Sequence, residues 1–208
     1  MSDNCASKKS CKGRPRSFDR EIALEQALSV FWQYGYQPAS IDKLCQAMGI
    51  KPASLYATFG NKAKLFLEAV DFYEQKYWSK PVQNFMAEPD IYKAVENFFV
   101  EAATILLSPE TPCGCMLVLA GVNISEEAAQ IGETLLSYRL ATKNRFQDRL
   151  RQAIYAGQIP PDSDVPAITA ALSTFLEGLS IQARDGLFLS ELKAMARFAV
   201  KLLPPKKA

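Results

Sequence analysis

Any chemistry in this chain must come from cations, hydroxyls and thiols, because its 208 residues include no histidine. That removes both the commonest general base near neutral pH and the commonest metal ligand. The cations are unevenly placed. Residues 1–20 hold Lys8, Lys9, Lys12, Arg14, Arg16 and Arg20 against Asp3 and Asp19, a net of +4, in a chain whose total is +2. A basic arm on a near-neutral body suits a polyanionic partner, and equally a solubilising tail. The cysteines number five, an odd count without paired spacing, which argues against a disulfide framework. Cys5 and Cys11 sit among the lysines of the arm. Cys113 and Cys115 would diverge on a helix, and no histidine can complete a metal set around them. No Gly-rich phosphate loop and no Ser-centred nucleophile motif is present. The expectation is therefore a protein that is not an enzyme and uses neither metal nor cofactor. A thiol peroxidase would have Cys115 as its eligible nucleophile.

These groups need elements to hold them, and the pattern reads as helix after helix. Strand-like alternation with hairpin turns is missing. Residues 1–16 are polar and without periodicity, so they are read as a disordered basic arm. A first helix is expected from an N-cap at Ser17 to Gly35, with Ile22, Leu24, Leu28, Phe31 and Trp32 at helical spacing. A second runs from Ser40 to Gly49, a third from Pro52 to Gly60, and a fourth from its cap at Asn61 to about Pro81. Later helices are expected near 90–107, 113–123, 125–156, 164–184 and 190–203. The fold class is thus all-α with about nine helices. No apolar run reaches the roughly 18 residues that span a bilayer, and the basic start has no apolar stretch behind it. The chain is therefore expected to be cytoplasmic, with no membrane partner.

Helices two and three are short and are joined by Met48-Gly49-Ile50-Lys51, the geometry of a helix-turn-helix. Gly49 can take the left-handed conformation that ends a helix. The exposed positions of helix three carry Lys51, Ala53, Ser54, Ala57 and Thr58. Small and hydroxylated side chains let a helix sit deep in a major groove, where base edges can be read. Ile22, Leu28, Phe31, Ile41, Leu44, Leu55 and Phe59 are read as core.

The residues that carry this geometry also resemble a known family. Gly13-Arg14-Pro15-Arg16-Ser17-Phe18-Asp19, Ala27-Leu28-Ser29-Val30-Phe31-Trp32 and Gly35-Tyr36 are similar to the start of a TetR-family regulator. Ser40-Ile41-Asp42-Lys43-Leu44, Ala47-Met48-Gly49-Ile50, Ser54-Leu55-Tyr56-Ala57-Thr58-Phe59-Gly60-Asn61-Lys62 and Leu65-Phe66 continue the match through residues 13–70. The resemblance implies a sequence-specific repressor that binds double-stranded operator DNA as a homodimer and responds to a small-molecule effector. Ser40 would bond a backbone phosphate. Lys51, Pro52, Ala53 and Ser54 would stand against base edges. Tyr56, Thr58 and Lys62 would hold phosphates, which fix register while base contacts choose sequence. Many family members carry His where Thr58 stands, so any phosphate bond there must come from a hydroxyl. Arg14 and Arg16 would follow the minor groove, or form a plain linker. The implied domains are an arm (1–16), a DNA-binding unit (17–62) and a helical ligand-binding and dimerisation body (63–208).

In the body, the resemblance implies dimerisation through the last two long helices. Their apolar stripes are Ile168, Leu172, Phe175 and Leu179 on one, and Leu192, Met195, Phe198 and Leu202 on the other. Apolar type and helix register suggest Phe85, Phe98, Phe99 and Leu106 as pocket residues, with Met116, Leu119, Phe146 and Phe175. Cys113-Gly114-Cys115-Met116-Leu117-Val118 resembles the Gly-Cys start of a core helix in a branch whose members include responders to electrophiles or oxidants. A thiol near a helix N-terminus has a lowered pKa, so Cys115, with Cys113 beside it, is a candidate sensor; the other reading is a small residue in a packed helix. Release could thus come from a ligand or from thiol modification. An activator without a ligand and a helical protein-interaction module remain as alternatives.

Overall fold

The computed structural model describes residues 18–120 and 128–206, and every regular element in them is helical. Four helices come first: α1 (Arg20–Tyr34), α2 (Ile41–Met48), α3 (Pro52–Phe59) and α4 (Lys62–Tyr73). The arm with Arg14 and Arg16, and the cap expected at Ser17, lie outside the described residues. Asp19 caps α1. Its carboxylate accepts the N–H groups of Glu21 at 2.8 Å and Ile22 at 3.3 Å. A charged acceptor there satisfies donors the helix cannot bond and meets the positive pole of the helix.

α1 packs on α4, Phe31 meeting Phe66 edge to face with 4.9 Å between ring centroids. Leu44 of α2 and Leu55 and Phe59 of α3 are buried beneath them. Arg20 ties the start of α1 to α4 through an ion pair with Glu68 at 2.5 Å and lies 4.8 Å over the Phe59 ring.

The fourth helix does not stop at Pro81. Residues Glu74–Trp78 widen into a π-helical segment, in which the Ser79 N–H reaches back to the Glu74 carbonyl. The chain then resumes as α5 (Ser79–Ala87) with Pro81 buried in its first turn. Proline has no N–H and its ring crowds the preceding turn, and a widened turn relieves both problems. The Ser79 hydroxyl donates to the Gln75 carbonyl at 2.6 Å.

The rest of the body is α6 (Ile91–Leu106), α7 (Met116–Leu119), α8 (Ala129–Tyr155), α9 (Val165–Arg184) and α10 (Leu189–Phe198), closed by a 3-10 turn at Ala199–Leu202. The described residues therefore hold ten α-helices, since the π-helical segment divides one expected helix into two. The helix expected over 113–123 is a single turn as far as it is described. The buried side chains form one continuous core from Ala23 to Leu203, crossing from the N-terminal helices into the body. No helix among the described residues is long and apolar enough to cross a membrane.

Asp19→Ala removes the cap of α1 and should lower stability by about 1 kcal/mol, while Asp19→Ser restores most of it. Thermal melts of the two variants check this, and equal melting temperatures would count against Asp19 as the cap.

Candidate nucleic-acid interface

The turn between α2 and α3 is set by three local signals. Gly49 takes φ 64°, ψ 29°, its N–H donates to the Gln46 carbonyl at 3.3 Å, and the Ile50 N–H donates to the Cys45 carbonyl at 3.1 Å. This paired closure satisfies the last carbonyls of α2 and turns the chain sharply. Ile50 tucks against the core. Lys51 is then the N-cap of α3 and Pro52 its first residue, a position where a missing N–H costs nothing.

α3 has two faces. Leu55 and Phe59 are buried, whereas Lys51, Pro52, Ala53, Tyr56 and Ala57 are exposed and Ser54 and Thr58 half-buried. Among the described residues, no internal hydrogen bond occupies the side chains of Lys51, Ser54, Tyr56 or Thr58. Ser40 sits at the N-terminus of α2, where its hydroxyl oxygen accepts the Lys43 N–H at 3.2 Å. That use of the oxygen leaves the hydroxyl proton to donate outward. Lys62 opens α4. Its ammonium donates to the Gln37 carbonyl at 3.1 Å and lies 4.7 Å over the Tyr36 ring, and burial lowers its pKa. It is thus held in place with N–H donors left over. The structure brings Ser40, the outward residues of α3 and Lys62 into one unit. It adds Lys43, whose ammonium lies 3.7 Å over the half-exposed Tyr34 ring. No local signal announces that pair, because it joins two different helices.

A short strap ties this unit to the body. The Trp32 indole N–H of α1 donates to the Gly114 carbonyl at 2.8 Å. The Tyr73 hydroxyl at the end of α4 donates to Cys115 Sγ at 3.4 Å. The Cys115 N–H donates to the Ser180 hydroxyl of α9 at 2.7 Å. Gly114 has φ +85°, and a Cβ there would lie 2.7 Å from Leu119 Cδ1 and 2.9 Å from the Ser180 carbonyl oxygen. Only glycine fits. Further along α9, Arg184 donates to the Gln33 carbonyl at 3.2 Å.

Cys115 is buried and Cys113 exposed. Burial pushes the Cys115 thiol above its usual range, outweighing the Tyr73 hydroxyl and the N–H groups of Val118 and Leu117. The helix N-terminus expected to activate this thiol does pull its pKa down, but desolvation is the larger effect.

The suggested pocket residues separate. Phe85, Phe98, Phe99 and Phe146 interlock as an aromatic core, with Phe98 and Phe146 edge to face at 5.4 Å. Leu106 and Met116 are fully buried, and Leu119 is half-buried. Phe98 alone of the eight lines the cavity under α4 and α5, beside Glu74, Trp78 and Cys115. Phe175 lines a different, open groove between α9 and α10. Of the dimer stripe, Leu172, Leu179 and Leu192 are filled in by their own protomer. Phe175, Met195 and Leu202 border the open groove, and Ile168 is half-buried. Phe198 stands 66% exposed at the end of α10 and Phe188 75% exposed at its start, and Ile181 and Leu189 are exposed as well.

Comparison with known proteins agrees with this geometry. A sequence model described as "Bacterial regulatory proteins, tetR family" matches residues 23–69. The chain is 34% identical over 197 residues, 94% of each chain, to the HTH-type transcriptional repressor ComR of Escherichia coli (strain K12). It is 29% identical over 187 residues, 90% of each, to the HTH-type transcriptional repressor BdcR of the same organism. Among solved structures, it is similar to the TetR family transcriptional regulator CifR, a cysteine mutant complexed with 26bp double-strand operator DNA. That likeness has a TM-score of 0.88 at 34% identity and covers 92% of this chain and all of the other.

N-ethylmaleimide labelling followed by peptide mass mapping should modify Cys113 well before Cys115, with Cys115 labelling still rising at pH values where an ordinary thiol has levelled off. Equal rates for the two thiols would mean that burial does not control Cys115.

Proposed function

The chain belongs to the TetR family of bacterial regulatory proteins, and we propose that it is a transcriptional repressor that grips operator DNA as a homodimer and is released through its body. The observation that carries the DNA reading is the outward face of α3, largely exposed and without internal side-chain hydrogen bonds among the described residues, on a helix fixed from below by Leu55 and Phe59. ComR and BdcR are named repressors, and CifR was solved on its operator. That kinship supports the same use of α3 here.

In this reading Lys51, Pro52, Ala53 and Ser54 meet base edges. The methyl groups of Ala53 and Ala57 favour thymine. Ser40, Tyr56, Thr58 and Lys62 hold phosphates, Lys43 adds charge beside Ser40, and Arg14 and Arg16 follow the minor groove. The DNA-binding unit ends near residue 62, and α4 carries its movements into the body. A second copy covers the α9–α10 face, where Phe188 and Phe198 are largely exposed. Two-fold pairing sets recognition helices about one DNA turn apart, roughly 34–36 Å, which gives two short readings the selectivity of one long one. Release follows when the body prefers a conformation that does not fit DNA. The strap at 113–115 is the means, since it touches α1, α4 and α9 together. A ligand in the neighbouring cavity or an adduct on Cys115 would disturb it.

Purified protein mixed with DNA flanking its own gene should give a sequence-selective mobility shift with a steep salt dependence. Arg14→Ala with Arg16→Ala should weaken binding to all sequences alike and flatten that dependence, and an unchanged slope would remove the arm from the interface. Failure to select any sequence from a random pool would overturn the DNA reading itself.

Cys115→Ser should keep operator affinity and lose release by N-ethylmaleimide. Release at the normal concentration in this variant would make Cys115 a packing residue only.

A further inference from the structure

Beneath the π-helical segment lies a cavity of about 50 Å³. Its walls are mostly apolar, with Trp78, Val82, Phe98 and Leu176 among them. Three charged side chains also line it: Glu74, Arg139 and Glu177. Arg139 is engaged, donating to the Leu117 carbonyl at 2.8 Å. Glu177 is exposed. Glu74 is half-buried, and among the described residues its carboxylate makes neither a hydrogen bond nor an ion pair, although the Arg145 charge attracts it. It also borders an outer groove with Asp71, Gln75, Tyr138 and Arg145, which shares Glu74, Trp78 and Val82 with the cavity. The groove and the cavity therefore adjoin across these three side chains.

We propose that this cavity is the effector site and that it takes a compact organic cation, a primary ammonium on a short apolar tail, paired with Glu74. The proposal rests on the reading of the chain as an effector-released repressor. The sign of the ligand follows from the unspent charge. Glu74 and Glu177 face the space against Arg139, and the outer groove adds one charge of each sign, Asp71 and Arg145, so the lining is net negative and an anion would meet repulsion. A neutral ligand would leave the half-buried Glu74 carboxylate with only the attraction of Arg145, and a desolvated charge that lacks a hydrogen-bonded partner is costly. Trp78 and Phe98 supply aromatic wall for the tail and for the cation itself. The volume admits roughly four water-sized groups, which fits a ligand of that length and excludes a drug-sized one. Glu74 begins the π-helical segment that continues α4. A charge pulling on Glu74 therefore acts on the helix that starts at Lys62 in the DNA-binding unit.

The electrostatics give the pH dependence. Burial raises the Glu74 carboxyl to about 7, Arg145 of α8 pulls it down and Asp71 of α4 pushes it up. The Tyr138 hydroxyl is donated to Asp71. The other titratable or charged groups lining the space are Cys115, Arg139 and Glu177. Because the carboxylate is the binding form, affinity for a cation falls with pH. Between about pH 8 and about pH 6 the carboxylate fraction drops from about nine tenths to about one tenth, so the Kd should weaken about tenfold.

Calorimetric titration of the full chain with n-propylammonium, propionate and 1-propanol at both pH values tests this. Propylammonium should bind saturably and about tenfold more tightly at the higher pH, the other two at least about tenfold more weakly than it does. Glu74→Gln should lose this binding while keeping operator affinity, which shows that it folds, and Glu177→Gln should keep the pH dependence. Propionate or propanol binding as well as the amine, undiminished amine binding in Glu74→Gln, or no saturable amine binding at the higher pH would each overturn the cation site. Operator affinity is read on the same samples. Its weakening by propylammonium supports an effector site, and indifference to bound propylammonium overturns that role. Absence of operator binding by the unliganded protein overturns the repressor reading instead, a result the calorimetry does not share.

Discussion

The structure depends on one backbone contact that admits no side chain. Gly114 donates its N–H to the Leu106 carbonyl at 2.8 Å, accepts the Trp32 indole at 2.8 Å, and presses its Cα face to within contact of Ser180 and Leu119. Helices α1, α6, α7 and α9 meet at this residue. The distance between the DNA-reading helices and the body is set by the thickness of a bare peptide. A Cβ would have to displace the Ser180 backbone carbonyl as well as the Leu119 side chain, and close-packed interiors resist that. The contact is therefore either made or broken, and that all-or-none character lets a small change in the body become a rigid shift of a distant helix.

α4 provides the second connection, and aromatic rings stiffen both its ends. Near its start, Phe66 is clasped by Phe31 at 4.9 Å and Tyr36 at 5.1 Å. Near its end, Tyr73 meets Trp32 at 4.7 Å, and Tyr77 lies 5.3 Å from the same indole. Pairs of this kind add about 0.5–1.5 kcal/mol each beyond their area. α1 is thus fastened to α4 at two points, and the pair moves together or not at all. Trp32 belongs to both the aromatic clasp and the strap. The π-helical segment then interrupts the regular ladder just where the body begins, so the helix can yield there while its DNA-proximal part stays intact.

This division explains what the sequence could and could not reveal. The DNA-binding unit was legible because its signals are local: Gly49 at a turn, Ser40 and Asn61 at caps, Pro52 at a first helical position. Each acts on neighbours within four residues, and apolar spacing gave the buried faces of α2 and α3. The cap of α1 was misplaced by two residues, since Ser17 and Asp19 are both good acceptors. The stop expected at Pro81 failed because a widened turn tolerates proline, and nothing in composition announces one. The body was harder for a different reason. Its helices bury more than one face, so periodicity tells that Phe99, Leu172 or Leu179 is inside without telling whether it faces a cavity, a second chain or its own core. The pKa of Cys115 was misjudged because the helix terminus is a local effect and burial is not.

The same tertiary origin makes Glu74 informative. In a chain without histidine, its carboxyl is raised by burial to about 7, into the range where histidine would normally titrate. The sign of the linkage is definite. The folded-state pKa lies above that of the unfolded chain, so the contribution is fully present at low pH and is lost as pH rises through about 7. At higher pH the native state holds a half-buried carboxylate with no hydrogen-bonded partner among the described residues, a cost to folding rather than a support. Such costs persist where they serve binding, because any positive ligand that reaches the carboxylate relieves them. A small cation then needs few contacts of its own, since much of its binding free energy is relief of a strain already present. Because Glu74 opens the segment where α4 can yield, that relief falls at the one place along the helix where the link between body and DNA-binding unit is least rigid.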